Sequence, residues 1–76
     1  MSNITKRQFE VLSLVAQGMA NKEIANSLHI SESTVKLHMH GLFKNLNVNN
    51  RTQALIAAQE SHILKKEEPD ILYKLV

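Results

Sequence analysis

Residues 21–35 read NKEIANSLHISESTV, and this stretch decides the fold. Its first half carries the apolar face of a short helix over about residues 21–28: Ile24, Ala25 and Leu28. Residues 29–31 then leave room only for a tight corner between helices. His29 is expected at the corner position often held by glycine, because histidine tolerates a positive φ better than branched residues do. Ser31 is a good N-cap for a third helix that runs to about Leu46. The stretch therefore predicts a helix-turn-helix.

The flanking sequence adds one helix on each side of this pair. Thr5 and Gln8 have the spacing of a capping box, so a first helix is expected over about residues 5–17, with Gly18 where it ends. After a polar break, a fourth helix is expected over about residues 51–61. Two glycines, one proline and no sustained apolar–polar alternation argue against strands. The predicted fold is all-α, a four-helix domain with a central helix-turn-helix.

Length and composition limit the chain to one small soluble domain. Its 76 residues allow a single core, and 43% apolar with 21% charged residues is the balance of a globular protein. The absence of cysteine excludes disulfides, thiolate nucleophiles and cysteine zinc sites. No apolar run approaches the length of a membrane span, and the first residues lack the apolar region of a signal peptide. A cytoplasmic protein without a membrane partner is expected.

Charge divides the chain into a body and a tail. Residues 1–59 hold six Lys or Arg against three Asp or Glu, whereas residues 60–76 hold three against four. We expect the helix-turn-helix domain to occupy residues 1–61. For the tail, residues 62–76, two states are expected: partial disorder, or a short helix that starts near Pro69 and docks on the domain.

The two sides of the predicted third helix differ in chemistry. At about 100° per residue, one side gathers the residues that anchor the helix to a core: Val35, His38, Met39, Leu42 and Leu46. The other side gathers Ser33, Lys36, Leu37, His40, Gly41 and Lys44. Charges of this kind are normal on a solvated face, but the glycine and the leucine also suit close approach to a base edge and to a thymine methyl group. A face that reads nucleic acid and a plain solvent face both remain open.

Motif residues along most of the chain resemble those of one family. They run through all four predicted helices and are ITKRQFEVL (4–12), AQG (16–18), NKEIA (21–25), TVKLH (34–38) and NRTQA (50–54). Over residues 4–58 the sequence closely resembles the LuxR/GerE-type helix-turn-helix family. The resemblance implies a four-helix DNA-binding domain of bacterial transcription regulators, often the output domain of two-component or quorum-sensing proteins. It also implies that the chain is not an enzyme.

Three positions depart from the family pattern. Gln8 stands where Glu is usual and keeps the capping hydrogen bond. Ala20 stands where Ser is usual, so the second helix is expected to take its cap from Asn21. Asn45 stands where Lys is usual, which removes one cation near the end of the third helix.

By resemblance and by position on the helix, the candidate base contacts are Lys36, Leu37 and His40. Lys36 suits guanine O6 and N7, Leu37 suits a thymine methyl group, and His40 suits an acceptor on a base or, when protonated, a phosphate. The candidate phosphate contacts set register without reading sequence and are Asn21, Lys22, Ser33, Thr34, Lys44, Asn50 and Arg51. For Arg51, a structural role near the corner between the third and fourth helices is an equal alternative.

The resemblance places dimerisation on the fourth helix. The candidate interface residues are Gln53, Ile56, Ala57 and Glu60. His38 is expected to pack in the core, and because His38 and His40 point about 160° apart on a helix, no metal site is expected. The serines lack the glycine-framed elbow of a nucleophile. We therefore expect no catalytic residue, no cofactor and no small-molecule ligand.

The resulting expectation is sequence-specific binding of double-stranded DNA by a homodimer on two half-sites, with the third helix in the major groove. RNA polymerase is a further candidate partner. Two alternatives stay open: a fragment similar to the promoter-reading domain of a sigma factor, and a helical protein-interaction module. The motif starts three residues into the chain, which fits both a stand-alone regulator and the output part of a longer protein.

Overall fold

The computed structural model describes residues 4–61, which form four α-helices. They are α1 (Lys6–Ala16), α2 (Asn21–Leu28), α3 (Glu32–Leu46) and α4 (Arg51–Glu60). No strand occurs in this part of the chain, and none of the four helices is long and apolar enough to cross a membrane. The predicted all-α fold with a central helix-turn-helix is confirmed. The states expected for residues 62–76 lie outside the described residues.

α3 is at the centre of the packing and contacts each of the other three helices. Its Val35 and Leu42 are fully buried, as are Val11 and Leu12 of α1 and Ile24 of α2. Burial of a side chain of this size contributes roughly 1.5–3 kcal/mol relative to its exposure to water. The buried face of α3 is thereby held in the core, which directs the opposite face to solvent.

α4 joins this core through small side chains. Its buried residues are Ala54 and Ala58, and Leu55 is half-buried against the same core. Alanine methyl groups allow α4 to approach α1 and α3 closely, but they bury little apolar area. Hydrogen bonds of Asn50 and Arg51 at the N-terminus of α4 add to this packing.

Side-chain caps begin α1 and α3. Thr5 Oγ1 accepts from the Gln8 N–H at 3.0 Å, and Gln8 Oε1 accepts from the Thr5 N–H at 3.1 Å, which confirms the predicted capping box. At the start of α3, Ser31 Oγ accepts from the Thr34 N–H at 3.1 Å. The Ser31 cap that the sequence predicts is therefore also confirmed.

The expectation that Asn21 caps α2 is wrong. The N-cap is Ala20, whose methyl group accepts no hydrogen bond, and Asn21 is the first helical residue. Glu23 Oε1 instead accepts from the Ala20 N–H at 2.8 Å. The Asn21 side chain turns towards Arg51, whose Nη1 donates to Asn21 Oδ1 at 2.7 Å.

The corner between α2 and α3 turns at a histidine. His29 has φ 60° and ψ 43°, a left-handed conformation that histidine tolerates better than branched residues do. The Ile30 N–H then donates to the Ala25 carbonyl at 3.0 Å, which closes the end of α2. The expectation that His29 takes the position often held by glycine is confirmed.

Gly41 does not belong to the exposed face on which the helical spacing placed it. It is half-buried, and a Cβ built there would lie 2.7 Å from Gln8 Nε2. The missing side chain makes room for the Gln8 amide to reach across α3. Gly41 therefore serves the contact between α1 and α3.

Candidate nucleic-acid interface

α3 presents an exposed face on the side opposite to its buried residues. Lys36, Leu37 and His40 are exposed, with Leu37 at 71%, and Ser33 and Lys44 are exposed on the same helix. Lys36, His40 and Lys44 follow one another at four-residue spacing, so they form a basic stripe along α3. The stripe supplies hydrogen-bond donors, and Leu37 beside it supplies one apolar contact.

A groove of about 310 Å³ adjoins the basic stripe. Three helices line it, through Asn21, Lys36, Met39, His40, Phe43 and Arg51. The lining includes three basic side chains and no carboxylate, so its potential favours an anion. The fold thus brings two candidate base contacts together with two candidate phosphate contacts.

Arg51 is half-buried and makes two short hydrogen bonds within the protein. Its Nη1 donates to Asn21 Oδ1 at 2.7 Å, and its Nη2 donates to the Met19 carbonyl at 2.6 Å. Both acceptors are neutral, so these two bonds hold the guanidinium in place without a counter-charge. This geometry fits the structural alternative for Arg51, although the link reaches α2 rather than the corner between α3 and α4.

The other candidate phosphate contacts differ in their exposure and in whether their side chains already make hydrogen bonds within the domain. The exposed ones are Lys22, Ser33 and Lys44. Thr34 is half-buried, with its Oγ1 2.9 Å from Ser31 Oγ. Asn50 Oδ1 caps α4 by accepting from the Gln53 N–H at 2.9 Å, while its amide group keeps two N–H donors.

The candidate dimer residues of α4 differ in exposure. Ile56 is 50% exposed, Glu60 is exposed and Ala57 is half-buried. Gln53 is exposed too, but its Oε1 accepts from the Asn49 N–H at 2.9 Å at the corner between α3 and α4. Ile56 is therefore the large apolar side chain that α4 offers to a partner.

His38 lies between the two faces of α3. It is half-buried, less enclosed than the core position expected for it, whereas His40 is exposed. Residues 4–61 contain no group of three or more His, Cys, Asp or Glu side chains that could hold a metal ion.

Sequence reasoning missed two features of this region. Phe43 lines the groove, and its four-residue spacing from Met39 was the available signal. Asn45 was expected only as a missing cation, but its Nδ2 donates to Gln8 Oε1 and so joins α3 to α1.

Comparison with known proteins gives consistent matches. The family model of bacterial regulatory proteins, luxR family, matches residues 2–58. Over 62 residues the chain is 42% identical to the transcriptional regulatory protein LiaR of Bacillus subtilis (strain 168), a match that covers 82% of this chain and 29% of LiaR. Response regulator ChrA of a heme-sensing two-component system is 36% identical with a TM-score of 0.79, over 84% of this chain and 32% of ChrA. The ComA DNA-binding domain, in complex with the anti-activator RapF, is 35% identical with a TM-score of 0.73, over 75% of this chain and 98% of that domain.

Fold, exposed α3 and these matches define the class as a helix-turn-helix DNA-binding domain of a transcription regulator. The chain belongs to the LuxR family of bacterial regulatory proteins. It spans between 7% and 30% of the lengths of the curated relatives that it matches.

Proposed function

We propose that this domain binds a specific operator in the bacterial cytoplasm as a homodimer, with one α3 in the major groove of each half-site. The observation that carries the proposal is the exposed face of α3, where the basic stripe runs beside Leu37 and Glu32, one turn before Lys36, is the acid of that helix. An α-helix fits the major groove, and this face has the donors that base edges and phosphates accept.

Lys36, Leu37 and His40 are the proposed base contacts. Lys36 donates to guanine O6 and N7, Leu37 contacts a thymine methyl group, and His40 donates to an acceptor on a base. The 71% exposure of Leu37 supports this assignment, because contact with a methyl group would remove apolar surface from water.

The proposed phosphate contacts surround this reading surface and are Lys22, Ser33, Thr34, Lys44 and Asn50. Lys22 and Ser33 lie in the first turns of α2 and α3, where backbone N–H groups also favour an anion. For Asn21 and Arg51 we propose the structural role instead, because Arg51 Nη1 donates to Asn21 Oδ1 and Arg51 Nη2 donates to the Met19 carbonyl.

The proposed dimer contact is the outer side of α4, centred on Ile56 with Gln53, Ala57 and Glu60 around it. A two-fold axis through this side would set Ile56 against Ile56 of a second copy and remove both from water. RNA polymerase is a further proposed partner, as for transcription regulators generally.

A selection from random duplex DNA with the 76-residue chain tests the proposal, followed by titrations at two salt concentrations. We expect a two-fold symmetric motif, and an affinity whose logarithm falls with the logarithm of salt by about 0.9 for each neutralised phosphate. If the selection enriched no motif and the affinity for DNA did not change with salt concentration, the proposal would be contradicted.

A protein-binding role is the second candidate. The ComA DNA-binding domain in complex with RapF is a related domain held by a protein. Leu37 and Ile56 are exposed apolar residues that would suit such a contact. Protein binding that survives high salt, in a chain that selects no DNA motif, would favour this function.

A further inference from the structure

The side chain of Arg51 links α4 directly to α2. Within residues 4–61, no Cα atom of α2 lies within 8 Å of a Cα atom of α4. Arg51, the first residue of α4, crosses this separation with its bonds to Asn21 and to the carbonyl of Met19. One end of α4 is thereby connected to the first turn of the helix-turn-helix.

The space on both sides of this link is open. Grooves of about 310 and 470 Å³ flank it, and Asn21 and Arg51 line both of them. A close-packed layer of side chains would fix the separation of two helices by itself. Here the open grooves provide no such layer between α2 and α4, so the hydrogen-bonded link adds a direct connection to the packing of both helices on α1 and α3.

The chemistry of the link fixes direction as well as distance. A guanidinium is planar and presents its N–H groups as a rigid fork, so two bonds to two separate acceptors define its orientation. One of these acceptors is the backbone carbonyl of Met19, which cannot swing away as a side chain can. α4 meets the core through the short side chains of Ala54 and Ala58 and through the half-buried Leu55, and the link at Arg51 adds a constraint on its first turn.

We propose that Arg51 is a positioning residue that fixes the angle between α4 and the helix-turn-helix, and thereby the spacing of half-sites that the dimer accepts. The proposal rests on the proposed function, because it requires a dimer formed through α4. In such a dimer the separation of the two reading helices must match the separation of the half-sites. A looser α4 would let the two reading helices take a wider range of separations.

The test uses the 76-residue chain and duplexes in which the selected half-sites are moved one or two base pairs closer or further apart. Wild type is expected to prefer one spacing. Arg51→Lys keeps the charge but loses the planar fork, and it should reduce that preference by about tenfold, the effect of one charge-assisted hydrogen bond. Asn21→Ala should act in the same direction.

The double variant Arg51→Lys with Asn21→Ala should lose no more preference than the stronger single variant, because both changes break one link. Arg7→Lys is the matched control, since Arg7 pairs with Glu10 on the exposed surface of α1. Thermal denaturation of each variant verifies that it is folded at the assay temperature, and only the ratio of affinities between spacings is compared.

Three outcomes would overturn the inference. If both single variants kept the spacing preference of wild type, the link between Arg51 and Asn21 would not set the spacing of half-sites. An equal loss of affinity at every spacing would identify Arg51 as a DNA contact. A wild type without any preference would overturn this inference together with the proposed dimer, whereas either of the first two outcomes leaves the proposed function standing.

Discussion

Gln8 Oε1 accepts a hydrogen bond from Asn45 Nδ2 at 2.7 Å, across 37 residues of sequence. The same oxygen accepts from the Thr5 N–H, so one amide both caps α1 and joins it to the last turn of α3. A neutral hydrogen bond between two amides thus holds the start of α1 against the end of α3.

This pair makes the effect of Gly41→Ala depend on residue 8. Alanine in a helix is favoured over glycine by about 0.5–1 kcal/mol, but its Cβ would displace the Gln8 amide that lies 2.7 Å away. We expect Gly41→Ala to leave the free energy of unfolding unchanged or lower in wild type, and to raise it in a Gln8→Ala background. Urea denaturation of wild type, Gly41→Ala, Gln8→Ala and the double variant measures both effects. A rise in the free energy of unfolding on Gly41→Ala in both backgrounds, or a fall in both, would contradict the argument.

Lys36 and Lys44 should affect DNA binding differently. Lys36→Ala should cost about 1–3 kcal/mol on the selected operator and relax one base preference, because a base contact is lost. Lys44→Ala should weaken binding to all DNA sequences alike, because a phosphate contact is lost. It should also reduce by about 1 the slope of the logarithm of affinity against the logarithm of salt concentration. Lys6→Ala removes the same charge from an exposed position on α1 and is the control. Unchanged operator affinity in both variants would mean that α3 does not carry the reading face.

Ile56→Ala should separate dimer binding from half-site binding. Truncation of an apolar anchor at an interface lowers affinity by about tenfold, and this loss is expected only on duplexes that contain both half-sites. Fluorescence anisotropy with one-site and two-site duplexes measures the difference. Phe9→Ala, at a 40% exposed position on α1, should change neither. Equal losses on both duplexes would place Ile56 outside the dimer contact.

His29→Gly should stabilise the domain. Glycine removes a left-handed strain of about 1–2 kcal/mol and adds some entropy to the unfolded chain, which leaves a net gain of about 1 kcal/mol. For a domain of this size the melting temperature would rise by about 4–8 °C. His40→Gly, the same substitution inside α3, should lower the free energy of unfolding by about 0.5–1 kcal/mol. A lower melting temperature for His29→Gly would show that its side chain has a stabilising role.

Local signals explain why the helices could be predicted from the sequence. Thr5 with Gln8 and Ser31 with Thr34 act within one turn, and apolar periodicity marks the buried face of each helix. His29 was predictable for the same reason, because the three-residue corner demands a positive φ somewhere near it.

Contacts between distant residues had no such signal. The Arg51–Asn21 bond spans 30 residues, and nothing periodic in the sequence connects its two ends. Gly41 was predicted to suit close approach to DNA, because a helical wheel shows which side of α3 a residue is on but not which helix packs there. Gln8 of α1 lies against Gly41.

The bonds that join one helix to another in residues 4–61 involve no ion pair. The salt bridge in this region, between Arg7 and Glu10 at 3.1 Å, lies within α1 with both side chains exposed to water. Such a pair contributes little to stability, whereas binding to DNA phosphates weakens steeply as salt rises. A rise in potassium concentration, as in an osmotic upshift, would therefore weaken the proposed binding to DNA and leave the domain folded, ready to rebind as the concentration falls.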